Sequence, residues 1–198
     1  MFSGEEVNHF DCDDTIGGDE MYKGKRVTLR AVEQDDIPEM LHHFNDWEVR
    51  RFLHMITPVS AEEEEKWIQE ITRQRKAGTH FLFTIELLKL KRFLGVCGLN
   101  SVDWIHRSAE LGIALSNKKY WGKGLGTEAI HLLVQFGFNV LNLHRIYLTV
   151  FEDNFRAQRV YEKIGFTKTG RQRETIRRLG RYFDLFSMDL LANEYKKS

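Results

Sequence analysis

The segment from Tyr120 to Ala129 constrains the fold of this chain more than any other. Its sequence is YWGKGLGTEA; an apolar run at 111–115 precedes it, and apolar residues at helical spacing follow it. A strand, a glycine-rich turn and a helix in this order form an anion-binding arrangement. The glycines let successive backbone N–H groups point inward, and the helix N-terminus adds partial positive charge. We interpret the turn as a pyrophosphate site, with a plain tight turn as the alternative.

Two common phosphate-binding motifs do not match this turn. The dinucleotide fingerprint G-x-G-x-x-G requires a third glycine where the chain has Thr127, and the next predicted strand, 145–150, offers no acidic residue. The P-loop requires a Gly-Lys pair followed by Ser or Thr, and the sequence contains no such combination. The turn therefore belongs to neither class.

A second segment, NFRAQRVYEKIGF at 154–166, lies downstream of the turn. Together the two segments resemble the GNAT superfamily of acetyl-CoA-dependent N-acetyltransferases, and the resemblance covers about 24–191. The turn is similar to the family's pyrophosphate-binding motif, (Q/R)-x-x-G-x-(G/A), and the second segment to N-x-x-(S/A)-x-x-x-Y-E-K-x-G-F. The stretch 136–150 between them is similar to the branch with ribosomal-protein-alanine and polyamine acetyltransferases. One departure is Trp121, which stands where the general motif has Gln or Arg.

The resemblance implies a fold and a set of cofactor-binding residues. The implied fold is a single-domain α/β (α+β) GNAT fold, with a mixed central sheet flanked by helices. Its central strands, 108–115 and 145–151, would splay to admit the pantetheine arm of acetyl-CoA. Backbone groups of the first strand would bind pantetheine and the oxyanion, and the glycine turn would bind the pyrophosphate. The implied acetyl-CoA-binding residues are Ile113, Ala114, Leu115, Gly122, Lys123, Gly124, Leu125, Gly126, Thr127, Asn154 and Tyr161.

Acetyl transfer from a thioester to an amine requires a base, an oxyanion site and a proton for the thiolate. The base is needed because an aliphatic amine has a pKa of about 10. The resemblance implies that Tyr161 is the leaving-group acid, and a packed tyrosine is the alternative. Glu110 is our candidate base, since strand alternation puts it on the face of Gly112; a salt-bridged glutamate is the alternative. Asp103 and His106 are weaker candidates.

Charge is unevenly distributed along the chain. The sequence has 29 basic and 29 acidic residues, but residues 1–20 contain seven acids and no Lys or Arg. The rest therefore has 22 acids and a net charge of +7. We expect 1–20 to be a disordered acidic tail and 21–198 to form one domain. A mildly basic domain suits an anionic ligand such as CoA, whereas nucleic-acid binding would need a basic stripe that the sequence lacks.

The expected location is the cytoplasm. Cys12 and Cys97 are too few for a disulfide framework, which favours a reducing compartment. No apolar run approaches the roughly 20 residues that a membrane span needs, and the N-terminus lacks a secretory pattern. The histidines show no metal-ligand spacing, so we predict no metal.

Apolar periodicity, capping residues and glycines predict alternating strands and helices. The predicted helices are about 35–44, 60–77, from the glycine turn to about 141, and 154–164. The predicted strands are 25–30, 80–87, 93–99, 108–115, 145–151, 166–173 and 181–190.

Function is predicted as acetyl transfer to a primary amine by direct attack, and the acceptor stays open. A protein N-terminus, a polyamine and another small amine all fit, although a polyamine would need several carboxylates converging on the pocket. The alternative is a CoA-binding sensor or structural module without chemistry. A monomer and a homodimer are both open. We interpret the arginine run at 171–181 as a solvated hairpin, with substrate selection as the alternative.

Overall fold

The structure, a computed structural model, describes residues 22–53, 55 and 57–195. The acidic segment 1–20 lies outside these residues, so the expectation of a disordered tail stays a prediction. The described chain forms a seven-stranded sheet in the order β1-β2-β3-β4-β5-β7-β6. The pair β4–β5 is parallel and the other neighbouring pairs are antiparallel. The strands are β1 (Val27–Arg30), β2 (Phe81–Leu87), β3 (Arg92–Asp103), β4 (Ser108–Ala114), β5 (Arg145–Phe151), β6 (Thr167–Arg178) and β7 (Arg181–Leu191).

Helices cover the sheet, and their starts follow local capping chemistry. Ser60 and Glu63 form the predicted capping box, in which each side chain accepts a hydrogen bond from the other's backbone N–H. Gly124 and Asn154 occupy the N-cap positions of the two helices that follow the glycine turn and the last central strand. The helices are α1 (Ile37–Phe44), α2 (Trp47–Arg50), α3 (Ala61–Lys76), α4 (Leu125–Gln135, continued by a π-helical turn at Phe136–Val140) and α5 (Phe155–Ile164).

The mixed α/β fold and the order of elements are those expected from the sequence, with three differences. The short helix α2 was not predicted; Asp46 caps it by accepting a hydrogen bond from the backbone N–H of Glu48 at 2.9 Å. The strands β3 and β6 continue to Asp103 and Arg178, beyond their predicted ends. Pairing with β4 and β7 extends them through polar sequence that has no strand signal of its own.

Two apolar clusters pack on the sheet. The larger joins α4 and α5 to the central strands through fully buried side chains such as Leu99, Leu133 and Ile146. The smaller joins α1 and α2 to Phe93 and Val96 of β3. Apolar surface buried on both faces stabilises the sheet by about 25 cal/mol per Å² removed from water.

An ion-pair network fixes the start of α1 against the sheet. Arg30 on β1 donates to Asp36 at 2.7 Å and to Glu86 on β2 at 2.8 Å. Thr84 donates to the same Asp36 carboxylate at 2.9 Å. Burial of Asp36 opposes its ionisation, but the bonds from Arg30, Thr84 and the backbone of Glu33 outweigh it and lower the pKa of Asp36. The buried carboxylate is therefore fully partnered and orients the helix.

A bulge at Gly95 brings β3 unusually close to β4. Gly95 has φ of +151°, and a Cβ there would lie 1.9 Å from the carbonyl oxygen of Ala114. The register of β2 and β3 shifts at this point, where Ile85 pairs with Gly95 and Glu86 with Phe93. The bulge thus sets the position at which β4 ends.

We predict that Gly95→Ala lowers the free energy of unfolding by about 2 kcal/mol or more, because the backbone conformation and the contact with β4 both resist a side chain. Urea denaturation of the two proteins measures the difference. The control is Gly170→Ala on β6, where a Cβ meets Ser187 at an ordinary 3.7 Å. Equal stability of the two variants would contradict the assigned role of Gly95.

Candidate active site

The two central strands separate after three residue pairs. Ser108, Ala109 and Glu110 of β4 pair with 145–147 of β5, and the ladder between these strands goes no further. Beyond Glu110, β4 stays paired with β3 as far as Ala114, while β5 stays paired with β7. The edge of β4 that faces β5 is therefore available for a ligand from Leu111 onward.

A cavity of about 620 Å³ occupies this gap. Its volume lies within the usual range for ligand pockets in proteins, roughly 300–1,000 Å³. The walls come from β4, the glycine turn, the start of α4, the end of β5 and α5, together with α2 and the residues after it. The predicted residues that line the cavity are Glu110, Ile113, Ala114, Leu115, Gly122, Gly124, Leu125, Gly126, Thr127, Asn154 and Tyr161.

The glycine turn has the backbone conformation that an anion cradle requires. Gly122 and Gly124 have φ of +72° and +75°, in the left-handed region that favours glycine. Gly124 is also the N-cap of α4, so the first N–H groups of that helix lie at the cavity wall. A Cβ on Gly122 would meet no atom within 4 Å, which leaves open space beside the turn.

The side chain of Lys123 is placed differently from the rest of the turn. Lys123 is exposed, and its ammonium group lies 5.1 Å from the ring centroid of Tyr120. The residue does not contribute to the cavity lining of the described chain. Its backbone carbonyl accepts a hydrogen bond from Arg26 Nη1 at 2.8 Å. Lys123 is therefore held through its backbone, and its exposed side chain lies over Tyr120, a residue of the cavity wall.

Arg26 connects the glycine turn to β1 and α4. Its Nε donates to Glu128 Oε2 at 2.9 Å, and its backbone N–H donates to Glu128 Oε1 at 2.6 Å. The backbone N–H of Val27 shares the same carboxylate at 3.2 Å. Burial opposes ionisation of Glu128, but these bonds outweigh it and lower its pKa. The carboxylate therefore stays charged and joins the helix to the sheet edge beside the turn.

Tyr161 is buried in α5 with its side chain at the cavity. Its exposed fraction is 7%, and its ring packs edge-on against Phe166 at 5.9 Å. No described residue forms a hydrogen bond with its hydroxyl. Burial raises the pKa of Tyr161 above the ordinary tyrosine value of about 10. The phenol therefore stays protonated at neutral pH.

Glu110 lies where β4 leaves β5. It pairs with Asn100 of β3 on one side and with Tyr147 of β5 on the other. Glu110 and Asn100 both line the cavity, and none of the described basic residues forms a salt bridge with Glu110. Gly112, on the same face, leaves room for the Asn100 amide, which would lie 3.2 Å from a Cβ there. Asn100, the register partner of Glu110 on β3, is thus a cavity-lining residue that our sequence reasoning missed.

The weaker candidates lie elsewhere. Asp103 and His106 form an exposed pair, with His106 Nδ1 2.9 Å from Asp103 Oδ2. Neither residue contributes to the cavity lining. Asn154 caps α5, because its side chain accepts a hydrogen bond from the backbone N–H of Ala157 at 3.2 Å, and the residue also lines the cavity.

Trp121 and Arg156 form a contact that sequence reasoning also missed. The guanidinium carbon of Arg156 lies 3.8 Å from the Trp121 ring centroid, within the range of a cation–π interaction. The indole Nε1 of Trp121 donates to the Leu115 carbonyl at 2.5 Å. Both side chains line the cavity. The tryptophan thus fixes the end of β4 and holds an arginine beside the glycine turn.

Residues 22–53, 55 and 57–195 contain neither a metal-binding cluster nor a membrane-spanning helix. In that part of the chain no group of three or more His, Cys, Asp or Glu side chains could hold a metal ion. None of the helices there is long and apolar enough to span a bilayer.

Comparison with known proteins decides the family. A family model described as an acetyltransferase (GNAT) domain matches residues 26–167. The chain belongs to the GNAT family. The match begins at the residue that anchors the glycine turn and includes both predicted motifs, so the resemblance expected from the sequence is confirmed.

Individual relatives of this GNAT protein carry the names of acetyltransferases with different acceptors. Spermidine N(1)-acetyltransferase of Escherichia coli is 36% identical over 174 residues, 85% of this chain and 88% of the relative. Putative ribosomal N-acetyltransferase YdaF of Bacillus subtilis is 31% identical over 175 residues, 87% of this chain and 94% of the relative. The crystal structure of spermidine N-acetyltransferase from Vibrio cholerae in complex with CoA and spermine superposes with a TM-score of 0.79. It is 29% identical and covers 87% of this chain and 99% of that chain.

These matches confirm the GNAT fold and the predicted activity class. The protein is an acetyl-CoA-dependent N-acetyltransferase that transfers acetyl to an amine. The reading as a CoA-binding module without chemistry is not favoured.

We predict that Arg26→Gln raises the KM for acetyl-CoA roughly three- to tenfold, because the glycine turn loses the hydrogen bond to its Lys123 carbonyl. Steady-state kinetics with varied acetyl-CoA measures the change, and kcat at saturation should stay near its original value. The matched control is Arg73→Gln on α3, where the arginine pairs only with Glu70. A KM that rises equally in both variants would contradict the role of Arg26.

Proposed function

We propose that Glu110 and Tyr161 are the base and the acid of acetyl transfer. The single observation that supports this is that both side chains line one cavity in the gap between the splayed strands. Glu110 receives the proton of the attacking amine, directly or through a water molecule. Tyr161 gives its proton to the CoA thiolate as the carbon–sulfur bond breaks. Burial raises the pKa of Tyr161 and so keeps the phenol protonated before that step.

Backbone groups hold the cofactor in this proposal. N–H groups of the turn at 122–127 bind the pyrophosphate, aided by the positive end of α4. The Thr127 hydroxyl and Asn154 add polar contacts at the same wall. Ile113, Ala114 and Leu115 present backbone groups to pantetheine and to the oxyanion, although the Leu115 carbonyl already accepts the Trp121 indole.

The acceptor is proposed to be an amine with a single positive charge near the reacting end. A polyamine bound along its length needs several carboxylates, and Glu110 is the one carboxylate among the described residues that line the cavity. Much of the remaining wall is apolar, with Phe52, Leu53 and Phe151 on the side of α2 and β5. The relatives named as spermidine acetyltransferases make a polyamine the second candidate.

The proposed location of the protein is the cytoplasm. A free, buried Cys97 and the low cysteine content suit a reducing cytoplasm. Acetyl-CoA and the amine are the proposed partners, without nucleic acid or membrane, and the domain is proposed to span 21–198. For the assembly, the monomer and the homodimer expected from the sequence both stay open.

We predict that Glu110→Gln lowers kcat about 100-fold, the lower end of what general base catalysis contributes. Gln keeps the size of the side chain but cannot take the proton, so the KM for acetyl-CoA should stay unchanged. Release of CoA thiol with the best acceptor measures both values. The control is Asp103→Asn, outside the cavity, which should behave like the original protein. A slow Asp103 variant beside a normal Glu110 variant would overturn the assignment.

We predict that Tyr161→Phe also lowers kcat about 100-fold while leaving the free energy of unfolding nearly unchanged. Phe preserves the packing against Phe166, and the hydroxyl has no partner among the described residues to lose. Thiol release and urea denaturation measure the two quantities. The control is Tyr182→Phe on the exposed face of β7. Full activity of the Tyr161 variant would leave this tyrosine with a packing role alone.

A further inference from the structure

Arg178, at the end of β6, does not behave as part of a solvated hairpin. Its guanidinium carbon lies 4.6 Å from the ring centroid of Phe151. Its Nη2 donates to the backbone carbonyl of Leu53. Its Nη1 is buried and has no hydrogen-bond partner in the described part of the chain. By contrast, Arg173 and Arg177 of the same strand are exposed.

Two further arginines follow one another at the end of α2. The guanidinium carbon of Arg51 lies 4.6 Å from the Phe52 ring centroid, and its Nη2 pairs with Asp153 at 3.0 Å. Arg50 keeps two buried nitrogens, Nε and Nη1, without a partner among the described residues. We call Arg50, Arg51 and Arg178 the arginine cluster.

Two members of the arginine cluster lie behind the acceptor side of the cavity. Arg51 contacts Phe52, and Arg178 contacts Leu53 and Phe151. These three contacted residues line the cavity, whereas the arginines themselves are not part of the lining. The cluster has three guanidinium groups and one paired carboxylate, Asp153. The two acids at the start of α2 are already paired with Lys118. This side therefore carries an excess of positive charge that disfavours a polycation.

Buried guanidinium N–H groups require an acceptor. Arginine cannot lose its proton in a protein, so an unpartnered buried N–H carries a desolvation cost that an anion would remove. Carboxylate and phosphate oxygens fit the guanidinium fork, and hydrogen bonds between charged groups are about twice as strong as neutral ones. The chemistry of the cluster thus matches an anionic group on the ligand.

We propose that the amine acceptor carries an anionic group, a carboxylate or a phosphate, and that Arg178 recognises it. This proposal rests on the proposed function, because it places the amine of the same molecule beside Glu110. Arg178 is then a specificity-determining residue of the reaction. Acceptors of this kind are amino acids and phosphorylated amines, whereas spermidine lacks the recognised group.

The test compares acceptors in matched pairs with the full chain and acetyl-CoA. Alanine is set against alaninamide, phosphoethanolamine against ethanolamine, and spermidine is included. The two pairs separate a carboxylate from a phosphate. The amine of alaninamide is less basic than that of alanine, so more of it is the reactive free base. This difference favours alaninamide and therefore works against the proposal. We expect kcat/KM at least about tenfold higher for the anionic member of one pair, the lower end for a hydrogen bond to a charged group.

Variants of Arg178 connect this preference to the residue. We expect Arg178→Gln to abolish the preference and Arg178→Lys to keep part of it, since lysine retains the charge but not the fork. The matched control, Arg173→Gln, should keep the full preference. The KM for acetyl-CoA and the circular dichroism spectrum, which should not change, report that Arg178→Gln still folds. A preference that survives in Arg178→Gln overturns the proposal, as does spermidine being the best acceptor of the original protein and of this variant.

A binding measurement separates this proposal from the proposed function. N-acetylalanine and N-acetylalaninamide are titrated by calorimetry into the complex with CoA, for the original protein and for Arg178→Gln. Tighter binding of the anionic product, lost in the variant, supports the proposal even if no amine is acetylated; in that case the chemistry assigned to Glu110 and Tyr161 is what fails. No preference in either binding or turnover overturns the proposal.

Discussion

The separation of β4 from β5 is the constraint on which the rest of the site depends. Three residue pairs hold the strands together, and each strand is then kept in the sheet by its other neighbour, β3 or β7. The gap stays open because both outer pairings continue past it. Gly95 contributes by letting the backbone of β3 approach Ala114 where β4 ends. A side chain at this point would push apart the strands that define the cavity wall.

The glycine turn is held in place from two directions. Arg26, next to β1, donates a hydrogen bond to the Lys123 carbonyl of the turn. Trp121, at the start of the turn, donates to the Leu115 carbonyl at the end of β4. Glu128 joins α4 to the sheet edge. A backbone cradle contributes most when its N–H groups are already oriented, because little reorganisation is then needed on binding. Arg156 above Trp121 adds positive charge beside the same wall. The side of the cavity that we propose for the cofactor is thus held by hydrogen bonds and carries positive charge.

The proposed acceptor side of the cavity does not suit a polyamine, the substrate in the names of several relatives. The walls there are aromatic and apolar, with a single carboxylate in the described lining and two arginines, Arg51 and Arg178, behind them. Charge complementarity governs which ligands approach such a surface more than fold similarity does. Proteins that share a fold and a cofactor therefore differ in acceptor when the loops and hairpins around the acceptor differ.

The sequence by itself determined the features that local chemistry encodes. Glycines with positive φ, the Asn154 cap, the Ser60 capping box and apolar periodicity each act over a few residues, so the turn, the longer helices and most strands were predictable. Tertiary structure alone decided that Asn100 and Arg156 line the cavity, that Arg178 contacts its wall, that Lys123 lies outside the lining, and that β3 and β6 extend through polar sequence. These outcomes depend on contacts between segments distant in the chain, such as Arg178 with Leu53. The residues next to a charged or amide side chain in the sequence do not determine which distant backbone group it contacts. Only the folded chain brings the two together.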